Sequence, residues 1–157
     1  MLQKFTQSVG AVSLKLNVEV LKLNVEMPAR ILIVEDDDAV RRVMEVALRS
    51  AGYLVSSTTT ATGAFPLLED RQPDLVVLDL VMPGMDGESF CQEARAKGYD
   101  GRVLVVSGSE SACESAARLR AQFIRKPFDP ENLCAAVNWS LRQTRKRAGE
   151  PFIETGR

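Results

Sequence analysis

The sequence predicts a doubly wound α/β domain built on a five-stranded parallel sheet. Three observations carry that expectation. Short runs that are apolar throughout, Ile31–Val34, Leu75–Leu78 and Val103–Val106, suit strands covered on both faces. Amphipathic stretches separate them, so strand and helix alternate over about 115 residues. Polar residues directly follow the runs, where an open α/β sheet gathers its ligand-binding groups at one edge. Right-handed crossovers then place helices on both faces.

The elements follow in chain order. After the Ile31–Val34 strand, Asp38 can cap a helix with Val40, Val43, Met44, Ala47 and Leu48 at helical spacing and Gly52 as its stop. Tyr53 to Val55 restart a strand. Residues 61–71 read as a helix, although Pro66 should break or kink it unless the helix begins late. The Leu75–Leu78 strand leads into the turn segment Met82-Pro-Gly-Met-Asp-Gly87. Helix is expected over 88–97, strand over Val103–Val106, helix over 110–120, a short strand at Phe123 and Ile124, and a last helix over 130–146.

Composition narrows the chemistry. The chain has 157 residues and no histidine, which excludes a Ser-His-Asp triad, a His-ligated zinc and a phosphohistidine within it. Cys91, Cys113 and Cys134 are widely spaced and odd in number, which fits a reducing cytoplasm better than a disulfide framework. No apolar run approaches the ~20 residues that span a bilayer, and the start lacks the pattern of a secretory signal. Residues 1–27 hold a tandem repeat, Leu14-Lys-Leu-Asn-Val-Glu-Val20 and Leu21-Lys-Leu-Asn-Val-Glu-Met27, and read as an extension without function. The body, residues 28–143, is modestly acidic, and residues 144–157 form a short basic tail. Arg142, Arg145, Lys146 and Arg147 suit a solvated helix end, and nucleic acid is not an expected partner.

The strand ends carry the sharpest signal. Glu35 and Asp36 follow the first strand, Asp79 follows Leu78, Ser107 follows Val106 and Lys126 follows the Phe123–Ile124 strand. All C-termini of a parallel sheet share one edge, so these residues should converge on one crevice. Three crowded carboxylates raise the cost of ionising them all, and a hard divalent cation such as Mg²⁺ or Mn²⁺ relieves it. A lysine and a hydroxyl beside them can neutralise phosphoryl oxygens while a carboxylate attacks. The set therefore reads as a phosphoryl-transfer arrangement.

On these residues the sequence resembles the receiver domain of bacterial two-component response regulators. The motifs are Ile-Leu-Ile-Val-Glu35-Asp36-Asp37, Leu-Val-Val-Leu-Asp79-Leu-Val-Met-Pro83-Gly-Met-Asp86-Gly87, Val-Leu-Val-Val-Ser107-Gly108 and Lys126-Pro127-Phe128. The resemblance implies a flavodoxin-like fold with strand order 2-1-3-4-5. It implies that Asp79 is the phosphoacceptor and Asp36 a direct Mg²⁺ ligand. Glu35 would act mainly through a water on the metal, and the Val81 backbone carbonyl would complete the protein's share of the coordination. Ser107 and Lys126 would each hold a phosphoryl oxygen, and Phe123 occupies the position of the switch aromatic. Pro83 and Gly87 would shape the loop after the acceptor, and Pro127 would follow a cis peptide. The implied partners are a histidine kinase or phosphotransfer protein and a downstream protein that meets the face of the fourth helix, fifth strand and fifth helix. A phosphorylation-dependent homodimer is also compatible with the resemblance.

The expected role is a switch and not an enzyme. A haloacid-dehalogenase-like phosphatase would need a second Asp two residues after the nucleophile, where this chain has Val81. An intermediate relay and an unphosphorylated adaptor are the alternatives. Only 17 residues follow Ser140, which leads to the expectation of a stand-alone receiver in the cytoplasm.

Overall fold

The computed structural model describes residues 27–143. Five strands alternate with five helices: β1 (Arg30–Val34), α1 (Asp38–Ser50), β2 (Leu54–Thr58), α2 (Ala61–Arg71), β3 (Leu75–Leu78), α3 (Gly87–Ala96), β4 (Arg102–Ser107), α4 (Ala112–Arg118), β5 (Gln122–Arg125) and α5 (Pro130–Arg142). All four strand pairings are parallel, in the order β2-β1-β3-β4-β5. The order implied by the resemblance is thus the observed one. The extension and the tail expected from the sequence lie outside the described residues, apart from Met27.

The apolar runs work because a strand points successive side chains to opposite faces. Ile31, Ile33, Leu75, Val77, Leu104 and Val106 pack with Met44 and Leu48 of α1 and Leu133 and Val137 of α5. Leu32, Val34, Val76, Leu78, Val103 and Val105 pack on the other side with Leu68 of α2, Phe90 of α3 and Ala116 of α4. Most of these side chains are wholly buried. Each face removes apolar area from water, which stabilises the fold by about 25 cal/mol per Å².

The helix ends differ from the sequence expectation in instructive ways. Asp37, not Asp38, caps α1: its backbone is extended and its Oδ1 accepts from the N–H groups of Ala39 and Val40. Asp38 is the first helical residue and pairs instead with Arg41. Gly52 does end the helix, at φ 91°, while Gly52 N–H reaches Arg49 and Tyr53 N–H reaches Leu48. Val43, expected on the apolar face of α1, is exposed. Pro66 neither breaks α2 nor delays it, because it sits on the exposed side, where the carbonyl left without a donor can meet water. Thr60 starts that helix by accepting from Gly63 N–H at 3.0 Å. β2 runs on to Thr58, polar residues included, because pairing with β1 supplies its register. α4 is shorter than expected, and α5 is described to Arg142 with Gln143 extended, while positions 144–146 of the expected helix lie outside the described residues.

Two substitutions calibrate this core. Leu104→Ala is expected to lower the unfolding free energy by about 2–5 kcal/mol. Val46→Ala, at a side chain 66% exposed on α1, should stay within about 0.5 kcal/mol. Urea denaturation of both variants checks the contrast.

Candidate functional site

The parallel sheet brings the predicted residues together at the C-terminal ends of β1, β3, β4 and β5. Glu35 follows β1 and is 1% exposed. Its backbone N–H donates to Thr58 O, and its own carbonyl accepts from Arg41 Nη1 at 3.1 Å. Its Oε1 accepts from Asp37 N–H at 3.1 Å. Asp79 follows β3 and is also buried, with Oδ1 accepting from Val81 N–H at 3.0 Å. Lys126, after β5, stands between the two carboxylates: Nζ is 2.6 Å from Glu35 Oε2 and 2.8 Å from Asp79 Oδ2. Asp36 is exposed at the mouth of this cluster.

Burial pushes the Glu35 carboxyl up from its ordinary range, and Lys126 only partly opposes it. Burial also pulls Lys126 down, but the hydrogen bonds it donates to Asp79 and Glu35 and their negative charges outweigh that, and the ammonium is held above its usual value. The Lys126 ammonium is the one partner that Glu35 Oε2 has among the described residues. Without that ion pair, a carboxylate oxygen buried there would be costly.

The donor set fits a hard cation. Glu35, Asp36 and Asp79 each offer a carboxylate oxygen, all within 4.8 Å of one another. All-oxygen ligation of this kind selects Mg²⁺ or Mn²⁺ over softer metals. The sequence reading left neutralisation of this cluster to metal alone, whereas Lys126 already bridges two of the three carboxylates.

The remaining predicted residues frame the cluster. Ser107 is the last residue of β4, wholly buried, and its Oγ accepts from Ser109 N–H at 3.3 Å. Lys126 N–H donates to the Ser107 carbonyl at 3.0 Å, so the two phosphoryl-binding candidates are tied through the backbone. The Lys126–Pro127 peptide is cis, as the resemblance implied. Phe123 is half-buried against the α2–α3–α4 side of the core, with the Arg125 guanidinium 5.8 Å from its ring centre. Val81 is 63% exposed beside Asp79.

The loop after Asp79 is fixed at its far end. Gly87 is buried, and a side chain there would start 2.7 Å from Asp79 O and 2.8 Å from Leu80 Cα. Only glycine fits so close an approach. Pro83 is exposed in the turn and Gly84 takes φ 83°. Asp86 caps α3 by accepting from Ser89 N–H at 2.9 Å. Asp37, Arg41 and Asp86 support the site; the sequence motifs include the two aspartates but assign no role to any of the three. For the two aspartates the capping rule was the available signal. For Arg41, which reaches back six residues to a carbonyl, there was none.

Comparison with known proteins gives a consistent picture. The family model described as the response regulator receiver domain matches residues 31–138. A response regulator named MprA from Mycobacterium sp. (strain KMS) is 39% identical over 121 residues, covering 75% of this chain and 53% of that protein. A probable transcriptional regulator, ycf27, from Guillardia theta is 30% identical over 138 residues, covering 86% and 54%. The chain thus spans about half the length of the curated relatives it matches. A putative response regulator from Chloroflexus aurantiacus superposes with TM-score 0.70 at 30% identity, over 74% of this chain and 100% of that one. The receiver domain of NtrX from Brucella abortus gives 0.68 at 28% identity, over 73% and 99%.

The Asp86 cap yields a pH-dependent prediction. The Ser89 N–H holds its carboxyl below the usual range, so its contribution exists above the ordinary Asp value of about 3.9 and is lost as pH falls through the lower folded value. Asp86→Ala is expected to cost about 1 kcal/mol at neutral pH. That deficit should narrow in acid, while Asp86→Asn keeps most of the stability throughout. Unfolding curves from pH 7 down to pH 3 test both points.

Proposed function

The chain belongs to the response regulator receiver-domain family of two-component systems, and from that premise we propose that it is a phosphorylation switch whose acceptor is Asp79. The observation that carries this reading is the setting of that one side chain. Asp79 is buried at the end of β3, aimed by Val81 N–H and Lys126, with the carboxylates of Glu35 and Asp36 beside it. In the transfer, an Asp79 carboxylate oxygen bonds to phosphorus as the bond between phosphorus and the donor's imidazole nitrogen breaks. That nitrogen keeps the electron pair. These 157 residues hold no histidine, so the phosphohistidine donor, that of a histidine kinase or a phosphotransfer protein, lies outside them.

Lys126 already touches the acceptor and needs only to turn from carboxylate to phosphoryl oxygen. The Ser107 hydroxyl donates to a second phosphoryl oxygen. Asp36, Asp79 and the Val81 carbonyl would hold Mg²⁺ (or Mn²⁺), with Glu35 behind them. Bound there, the cation supplies the positive charge that crowded carboxylates and phosphoryl oxygens require. Phosphorylation adds about −1.5 to −2 charges at pH 7 and draws Ser107 inward. The Phe123 ring fills the space released, and the α4–β5–α5 face changes shape for a downstream protein or a second copy. A chain of this kind assists only its own phosphorylation and dephosphorylation, and the proposal includes a cytoplasmic location. No described helix is long and apolar enough to cross a membrane.

The central test is intact mass after incubation with acetyl phosphate and Mg²⁺. Wild type should gain one phosphate, chelation of the metal should abolish the gain, and Asp79→Asn should gain none. A phosphate adduct that persists in Asp79→Asn would remove Asp79 from the role. Val81 gives a second expectation, because its exposed apolar side chain offers attacking water no partner. Val81→Asn should shorten the phosphorylated lifetime several-fold, read from the decay of the adduct after the donor is removed.

A further inference from the structure

The helix α4 is the shortest in the fold and is weakly anchored at its start. Ser111, before it, has helical dihedrals and gives no side-chain cap. Its buried residues are the small Ala112, Ser115 and Ala116. Two turns of helix do not hold themselves in water, so tertiary contacts decide where α4 lies.

One such contact joins its far end to the acceptor loop. Arg118 Nη2 donates to Glu88 Oε1 at 2.7 Å and to Ser115 Oγ at 2.9 Å. Glu88 lies in the first turn of α3. That turn is fixed to the acceptor: Gly87 N–H donates to Leu80 O at 3.1 Å, and Gly87 packs on the Asp79 backbone. Both charges also sit at the helix ends that favour them, the acid at an N-terminus and the base at a C-terminus. The hydrogen bond holds the Glu88 carboxyl below its usual range and the Arg118 guanidinium above its own.

Between the helices the packing is open. Ser109, Ser111 and Ser115 line a cleft of about 340 Å³ together with Val81 and Glu88. The segment from Ser107 to α4 therefore borders free volume on this side. Glu114, four residues before Arg118, also attracts the guanidinium, and it does so without tying α4 to α3.

We propose that Glu88 and Arg118 form a latch that holds α4, and through residues 108–111 Ser107, in the arrangement of the unphosphorylated protein. The inference rests on Asp79 being the acceptor. Ser107 lies only five residues before Ala112, so turning its hydroxyl toward a phosphoryl group shifts the loop and the start of α4. Movement of α4 stretches the Arg118–Glu88 contact and leaves Arg118 to Glu114. The ion pair therefore weighs against the phosphorylated arrangement and slows entry into it. Neither residue touches the reacting atoms. Both are positioning residues.

The test is the initial rate of phosphorylation by acetyl phosphate with Mg²⁺, followed by intact mass, in wild type, Glu88→Gln, Arg118→Gln and the double variant. Circular dichroism confirms that each is folded. Each single variant should be faster by up to about fivefold, the range an exposed ion pair supports. The double variant should be no faster than either single one, because both remove the same interaction. The advantage should fade at 1 M salt, where the Debye length is about 3 Å. Amide exchange over α4 in the unphosphorylated protein should rise by a similar factor in the variants. Rates equal to or below wild type, additive gains, or gains indifferent to salt overturn the latch while Asp79 remains the acceptor. Failure of wild type itself to take phosphate overturns the acceptor reading, and the latch with it.

Discussion

Lys126 Nζ stands 2.6 Å from a Glu35 oxygen and 2.8 Å from an Asp79 oxygen, and the geometry of the site depends on that bridge. Both carboxylates are nearly inaccessible to water. Two buried negative charges would repel one another in a medium that screens them poorly. One ammonium shared between them makes the pair tolerable and still leaves it incomplete. One positive charge faces two negative ones, and Asp36 adds a third carboxylate at the mouth. The site thus rests in a state that invites more positive charge, and a phosphoryl group can compete for the lysine once a cation has joined the carboxylates.

The fold produces this crowding without any local strain in the strands. A parallel sheet ends all its strands on one edge, and the order β2-β1-β3-β4-β5 puts β1 beside β3 at its centre. Glu35 and Asp79 therefore emerge side by side, with Asp79 N–H donating to Val34 O across the pairing. Ser107 and Lys126 come from the next two strands and are joined by a backbone hydrogen bond. Apolar residues on both faces of β1, β3 and β4 keep these ends in register. Shifting one strand by a residue would turn its core side chains to the wrong face, so packing of the interior also fixes the site.

Much of this was legible in the sequence because two strong patterns coincided. Apolar runs marked the central strands, and each was followed at once by a residue with phosphoryl-transfer chemistry. The β3 boundaries came out as expected because Leu75–Leu78 is wholly apolar and flanked by polar residues. The edge strand β2 was harder to delimit, since Ser56, Ser57 and Thr58 belong to it only through pairing with β1. Pro66 misled for a related reason: a missing N–H matters where its acceptor is buried, and solvent exposure cannot be read from the residue type. Asp37 and Asp38 are indistinguishable as caps until the backbone shows which one is extended. Contacts between distant elements, such as Arg118 with Glu88, leave no periodic trace at all.

The same distinction bears on how the switch is built. On the proposed reading, the residues that would meet a phosphoryl group sit at strand ends and are fixed by the core, so they have little freedom to respond. Response must pass through the connections, and β4 to α4 is the connection with least to hold it. Ser107 is anchored by β4 and by Lys126, yet the residues after it border open volume before a seven-residue helix of mainly small side chains. Phe123 lies on that same side of the sheet and is only half-buried, with a guanidinium over its ring. A small shift of Ser107 can therefore be taken up by α4 and by the Phe123 ring without disturbing the packed strands. Rigid chemistry and a loosely held output face follow from one arrangement of strands, differing only in how much each following segment buries.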